Sequence, residues 1–356
     1  MGLQDFWFLT VAVLFLGFFV LEGFDFGVGM LMGPLGRRSA ESDGTTAAPA
    51  LEANRRAVLN TIGPVWDGNE VWLITAGGAM FAAFPHWYAT VFSTLYLPLL
   101  AILLAMIARI VAIEWRGKID DPQWRHWCDI GIAVGSWLPA FLWGVAFANL
   151  VRGLPIGPDK NVAGLSITDV LNPYTLLGGL ATCSLFLFHG SVFIALKTGG
   201  AVRRNAIAAA GRLGIPATVL VAAFGLWTQL AHGNASTWPV VVVAVAAQLT
   251  ATALARNGSR EGWAFLCTTV VVAAVVVLLF ASLYPNLVPS TLDPAYSLTI
   301  HNASSSHYTL TVLTWAALIC TPVVLGYQAW TYWVFRKRIW AESIPPPIGL
   351  SHRRSH

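Results

Sequence analysis

Apolar stretches as long as a bilayer is thick recur along this chain, near 7–34, 58–85, 87–113, 128–151, 173–196, 207–230, 238–254, 263–284 and 308–335. A helix that crosses the hydrocarbon core takes about 20 apolar residues, so these windows predict nine membrane-spanning helices. Composition agrees. Of 356 residues, 56% are hydrophobic and 11% charged, with mean hydropathy +0.65, whereas soluble domains carry about 25% charge. That balance excludes a soluble protein. Net charge +4 and pI ≈ 9.0 do not point to nucleic acid, because the basic residues sit in short clusters between apolar stretches rather than in one patch. The expected fold is all-α and integral to the membrane: two four-helix bundles plus one peripheral helix. A first bundle with a buried acid cluster covers 1–151, a second covers 152–284, and an outer loop, the ninth helix and a tail cover 285–356.

Orientation follows from Lys and Arg, which cytoplasmic loops hold in excess. Nineteen of the 21 fall at one set of helix ends, from Arg37 and Arg38 through Arg55, Arg56, Arg109 and Arg116 to Arg353 and Arg354. Only Arg152 and Lys160 fall at the other. The N-terminus is therefore expected outside and the C-terminus in the cytoplasm. Met1–Leu9 offers only Asp5 among charged residues and lacks the basic start of a cleavable signal, so the first stretch is expected to stay as a helix. Trp7, Trp87, Tyr88 and Trp238 on the outer side, and Trp115, Trp124, Trp127, Trp330, Tyr332 and Trp333 on the inner, read as interfacial anchors. Ser39–Leu51 reads as a flexible cytoplasmic loop, and Pro285–His307 as a connection lying over the outer surface that sets helix nine apart. Cys128, Cys183, Cys267 and Cys320 have no CxxC spacing and read as small apolar residues.

Chemistry is expected where ionisable groups lie deep in a span, since each costs roughly 2.5 to 3.5 kcal/mol there. Glu22, Asp25, Asp67 and Glu70 qualify. Each pair is three residues apart and so shares a helical face. Counted from the basic anchors Arg37 and Arg56, the aspartates come out level and the glutamates form a second tier. Two tiers of carboxyls on antiparallel helices suit a proton relay. A structural cluster hydrogen-bonded to Asn60, Asn69 and Trp indoles, or a cation site, would use the same residues. Around them, Pro64 predicts a kink and Gly68 a place where another helix or a ligand approaches. A haem centre in this chain is not expected: His189 is the one histidine well inside a span, where a lone histidine is most often a hydrogen-bonded structural residue. Met30, Met32, Met80 and Met106 read as core filler. Zinc spacing, a Walker loop and a GxSxG elbow are absent.

Three motifs carry the reading further. Gly23-Phe24-Asp25-Phe26-Gly27-Val28-Gly29, then the run Gly63 to Trp72 with Trp66-Asp67-Gly68-Asn69-Glu70 at its centre, then Gly77 to Pro85, closely resemble subunit II of cytochrome bd-type quinol oxidases. Gly144–Asn149, Leu171-Asn172-Pro173, Ser290-Thr291, Ser304-Ser305-Ser306 and Ala329–Trp333 fit the same family. The resemblance spans nearly the whole chain and is densest in the first three helices. It implies a bacterial plasma-membrane, non-pumping but electrogenic quinol:oxygen oxidoreductase that reduces oxygen to water. It also implies a partner, subunit I, holding two b-type haems, haem d and the quinol site. This chain would hold no cofactor, metal or catalytic residue of its own. It implies, too, a proton path through Asp25, Trp66 and Asp67, to which the spacing adds Glu22 and Glu70. Small single-span accessory subunits, lipid and quinone are further candidate partners. Without the motifs, a secondary transporter or cation channel would rank first.

Overall fold

The computed structural model describes residues 2–42, 44, 48–258, 260–345 and 349–351. Its α-helices are α1 (Leu3–Ser42), α2 (Ala48–Leu59), α3 (Trp66–Ala83), α4 (Pro85–Thr94), α5 (Tyr96–Trp115), α6 (Pro122–Arg152), α7 (Ile167–Val170), α8 (Pro173–Lys197), α9 (Gly200–His232), α10 (Trp238–Asn257), α11 (Glu261–Leu283) and α12 (His307–Val334). Eight of the helical segments are long and apolar enough to cross a membrane, against the nine expected. The difference lies in the second stretch. Instead of one kinked helix over 58–85, the chain turns through residues 60–65, and α3 is an 18-residue helix whose first turns hold Asp67, Asn69 and Glu70.

Proline explains both this break and the next one. A proline ring collides with the carbonyl four residues earlier, so Pro64 strikes at Asn60, the first residue after α2. Likewise Pro98 strikes at Thr94, where α4 ends, and the expected 87–113 helix becomes α4 followed by α5. The presumed Ser39–Leu51 loop is shorter than expected, because α1 runs on to Ser42 and α2 begins at Ala48. Residues 43 and 45–47, and also Arg353 and Arg354, lie outside the described residues.

α8 sits at the centre, with 72% of its most apolar window buried. It crosses α1 at Gly27 and Gly190. A Cβ on Gly27 would lie 2.1 Å from the Phe186 carbonyl oxygen, and one on Gly190 would lie 2.6 Å from the Gly27 backbone. Only glycine at both positions lets the two backbones meet. One apolar cluster runs through both halves of the chain, joining Phe15 and Phe19 of α1 to Phe147 of α6, Phe186 of α8 and Phe280 of α11. Met30, Met80 and Met106 belong to it, as expected of core filler, and Cys128 and Cys183 are likewise buried. Trp87 does not anchor an interface: it is 1% exposed within the same cluster. α12 is peripheral, with Leu310 its one buried residue.

The basic end of the bundle is tied by ion pairs. Arg116, just past α5, holds Glu52 of α2 at 2.6 Å and Asp129 of α6 at 2.6 Å, and Arg55 reaches Asp129 at 3.0 Å. The tail after α12 crosses this face. Ile339 pairs with the α8–α9 corner through Lys197 and Gly199, Arg56 donates to the Pro345 carbonyl, and β4 (Leu350–Ser351) pairs in parallel with β1 (Ile119–Asp120). At the opposite end the 285–307 connection packs on the bundle, with Leu154 N–H donating to Pro289 and Ser305 Oγ donating to the Ala82 carbonyl.

Candidate functional site

Three of the four acids converge, and they do so around a cation that sequence reasoning had placed elsewhere. Glu22 and Asp25 project from one face of α1 and are both 0% exposed, while Glu70 on α3 is 9% exposed. Arg109, expected among the cytoplasmic basic residues, lies fully buried on α5. Its Nη1 donates both to Glu22 Oε1 in a very short ion pair and to Glu70 Oε1 at 3.3 Å. The guanidinium carbon sits 4.9 Å over the Phe26 ring, a cation–π contact on its remaining face. Glu22 and Glu70 thus share a tier, as their spacing predicted, and the guanidinium is what joins them.

Asp25 sits differently. Its Oδ2 accepts 2.7 Å from the Asn69 amide of α3, and the Asn69 carbonyl oxygen accepts 2.8 Å from the Tyr332 hydroxyl of α12. Gln328, one turn earlier on α12, donates to the same oxygen at 3.4 Å and accepts 2.8 Å from the Trp72 indole. Tyr332 is therefore part of the site rather than an interfacial anchor. Sequence reasoning offers Asn69 as a structural partner and misses Gln328. The signal for it was a glutamine four residues before a tyrosine in an apolar helix, which puts both on one face.

Asp67 departs from the expectation of a buried, level pair with Asp25. It lies on the exposed face of α3 with Val71, Ile74 and Phe81, while Trp66 before it is 9% exposed. The 60–65 break starts α3 at Trp66, and within its first turns Trp66, Asn69 and Glu70 face inward while Asp67 and Gly68 face outward. A Cβ added at Gly68, beside Asp67, would meet nothing within 4 Å among the described residues outside its own helical turn. Asn60 is likewise exposed and away from the cluster. Several deep polar atoms lack a partner within the described residues: Glu22 Oε2, Asp25 Oδ1, and Arg109 Nε and Nη2.

His189 occupies a separate polar point, 0% exposed. Its Nδ1 lies 2.7 Å from Thr268 Oγ1, its Nε2 lies 3.1 Å from the Val20 carbonyl, and its ring stacks on Phe265 at 4.8 Å. Both ring nitrogens are engaged, so the geometry does not fit axial ligation of a haem. An apolar cavity of about 590 Å³ opens between α3, α4, α5 and α6, bordered by residues such as Phe15, Phe81, Trp87 and Trp143, and is lined without Asp, Glu, Lys, Arg or His.

With this geometry in hand, comparison with known proteins is specific. Residues 3–335 match the family described as Cytochrome bd terminal oxidase subunit II. The chain is 42% identical over 343 residues to cytochrome bd ubiquinol oxidase subunit 2 of Bacillus subtilis (strain 168), covering 95% of this chain and 97% of that one. It is 33% identical over 379 residues to cytochrome bd-I ubiquinol oxidase subunit 2 of Escherichia coli (strain K12), covering 96% of each. Among solved structures, a chain of the bd oxidase from Geobacillus thermodenitrificans superposes with a TM-score of 0.74 over 94% of this chain and 99% of that chain; at 17% identity this likeness concerns the fold.

Proposed function

This chain belongs to the family of cytochrome bd terminal oxidase subunit II, and from that premise we propose that it is the haem-free half of its oxidase and supplies part of the proton path. The family makes it a subunit of a quinol-oxidising respiratory oxidase, multi-pass in a bacterial membrane. Two b-type haems and haem d then belong to the partner, subunit I. The engaged ring of His189 supports placing no haem here. The complex would build its proton gradient without pumping, by drawing protons from the cytoplasm. In this reading α3 and the α4–α5 pair complete nine crossings, the N-terminus lies outside, and small single-span subunits join the complex.

The observation that carries the proton path is that three buried acids gather near one arginine while the fourth, Asp67, stands at the surface. Three buried carboxyls surround a single guanidinium, and charges this deep must be paired or neutral. Arg109 balances one carboxylate, so the other two stay neutral by carrying protons. A cluster that holds protons in excess of its cations can pass them on. Phe26, Trp66 and the surrounding apolar residues keep bulk water away, and Arg109 holds Glu22 and Glu70 in mutual reach. Asp67, three residues before Glu70 on α3, is the one member at the chain's surface, where a proton can cross to the partner subunit. The first turn of a helix also favours a carboxylate at that point. A cation site is disfavoured because the chain's own guanidinium occupies the space between the carboxylates.

Asp67→Asn tests this. The amide keeps the shape and hydrogen-bonding capacity of a neutral acid but cannot release a proton. Oxygen consumption per haem d in purified complex should fall by roughly an order of magnitude or more, with assembly intact. Near-normal turnover would remove Asp67 from the path.

A further inference from the structure

The polar chain from α12 has a fixed direction, set by its first donor. An indole N–H can only donate, so the atom of Gln328 that Trp72 Nε1 meets at 2.8 Å must be Oε1. Gln328 then turns its Nε2 toward Asn69, and the atom of Asn69 at 3.4 Å must be the acceptor Oδ1. The Tyr332 hydroxyl, 2.8 Å from the same oxygen, donates to it as well. Asn69 is thereby left with only its Nδ2 to offer Asp25, and it does so at 2.7 Å. Every step follows from which atoms can donate, and the polarity ends on Asp25 Oδ2, which accepts.

We infer that α12 is a positioning element of the proton path: Gln328 and Tyr332 together clamp the Asn69 amide so that the exchangeable proton of Asp25 is confined to Oδ1. This rests on the proton-path reading of the acid cluster. Asp25 Oδ2 already receives the Asn69 N–H, so a proton on the carboxyl belongs on Oδ1, which is buried and has no hydrogen-bond partner among the described residues. Glu22, three residues earlier on the same face of α1, presents Oε2 in the same condition. Transfer breaks the Oδ1–H bond on Asp25, forms an O–H bond on the Glu22 carboxylate, and leaves the negative charge on Asp25. Were Asn69 turned over, its oxygen would accept from Asp25, and the proton would point at α3 and away from Glu22. Among the described residues no hydrogen bond or ion pair joins α12 to the four acids, yet it decides which way one of them faces.

The two donors are not equivalent, and that distinguishes the clamp from packing. In purified complex, Tyr332→Phe alone should lower oxygen consumption per haem d less than Gln328→Leu alone, because the Gln328 amide N–H can only donate, whereas a hydroxyl left by itself could also accept from a turned Asn69. The double variant should lose roughly fivefold or more, with haem content unchanged. Infrared spectroscopy reads the orientation itself. The carboxylic C=O band that Asp25→Asn removes should move to higher wavenumber in the double variant, since Asn69 no longer holds the carbonyl oxygen. Trp72→Phe/Tyr332→Phe, which leaves Gln328 in place but free to turn, should give the same shift if the first pair fails to assemble. An unmoved band, or no carboxylic band assignable to Asp25, overturns the clamp. Turnover of Asp25→Asn judges the other question: if it is normal, the proton path fails, while the band position still decides how Asp25 is held.

Discussion

Arg109 offers a single nitrogen to two carboxylates from two other helices, and that sharing makes it the hinge of the site. Removing one partner of a buried ionic group leaves the rest uncompensated, at a cost of about 3 to 5 kcal/mol. Arg109→Gln should therefore sharply reduce the amount of assembled complex and lower its unfolding temperature. Arg109→Gln combined with Glu22→Gln should recover part of both losses, because the unpaired charge is gone. If the double variant is no better than the single one, the pair does not stabilise the fold as described. The four acids were legible in the sequence because carboxyls stand out within apolar stretches. Their cation was not. Arg109 lies near the end of its stretch, where it looks like one more basic residue at the cytoplasmic edge, and only the packing of α5 within the fold reveals its pairing with Glu22. Tyr332 was misread for the same reason, as an aromatic near a helix end.

Helices place these groups by how closely they approach and where they stop. The long apolar stretches were legible as α1, α6, α8, α9, α10, α11 and α12 to within a few residues at most ends; α1, α6 and α9 run several residues longer. Pro64 and Pro98 were harder, since proline sits inside α1, α6, α9 and α12 without ending them. Gly33 precedes Pro34 inside α1 just as Gly63 precedes Pro64; what differs is that the polar run from Asp67 to Glu70 follows Pro64, so little apolar packing holds a helix through it. That break resets where the next helix starts, a consequence no helical count from Arg56 could reach. The α1–α8 crossing carries the next prediction. At Gly190 even a methyl group would meet the Gly27 backbone at 2.6 Å, so Gly190→Ala must push the two helices apart. Complex yield should drop steeply, and the Phe24–Phe193 stack beside it, 4.0 Å between ring centroids, should open. Gly225→Ala on α9, with nothing within 4 Å, should be neutral or mildly stabilising. Equal effects at the two positions, measured as purified complex per cell mass, would refute the close crossing.

At the scale of the whole molecule, the uneven division of basic residues becomes a question of which compartment each end of the bundle faces. With Arg109 withdrawn into the core, the remaining basic residues still collect at one end, where Arg55, Arg116 and Arg125 interlock with Glu52, Asp120 and Asp129. The end that holds Arg152 and Lys160 is built instead from the 153–172 and 285–307 connections. If the first end is cytoplasmic, the proton path proposed for the acid cluster would draw from the compartment that this basic end faces. Ser42→Cys, at the exposed end of α1, and Asp159→Cys, on the exposed loop after α6, report on the two ends. An impermeant thiol reagent applied to intact cells should label Asp159→Cys and spare Ser42→Cys. Inverted membrane vesicles should reverse the pattern, with the parent chain giving the background from Cys320 on the outer face of α12. Labelling of Ser42→Cys from outside would invert the molecule in its membrane. The proton path would then begin in the wrong compartment, because no side chain in the cluster can make a cytoplasmic entrance out of an external one.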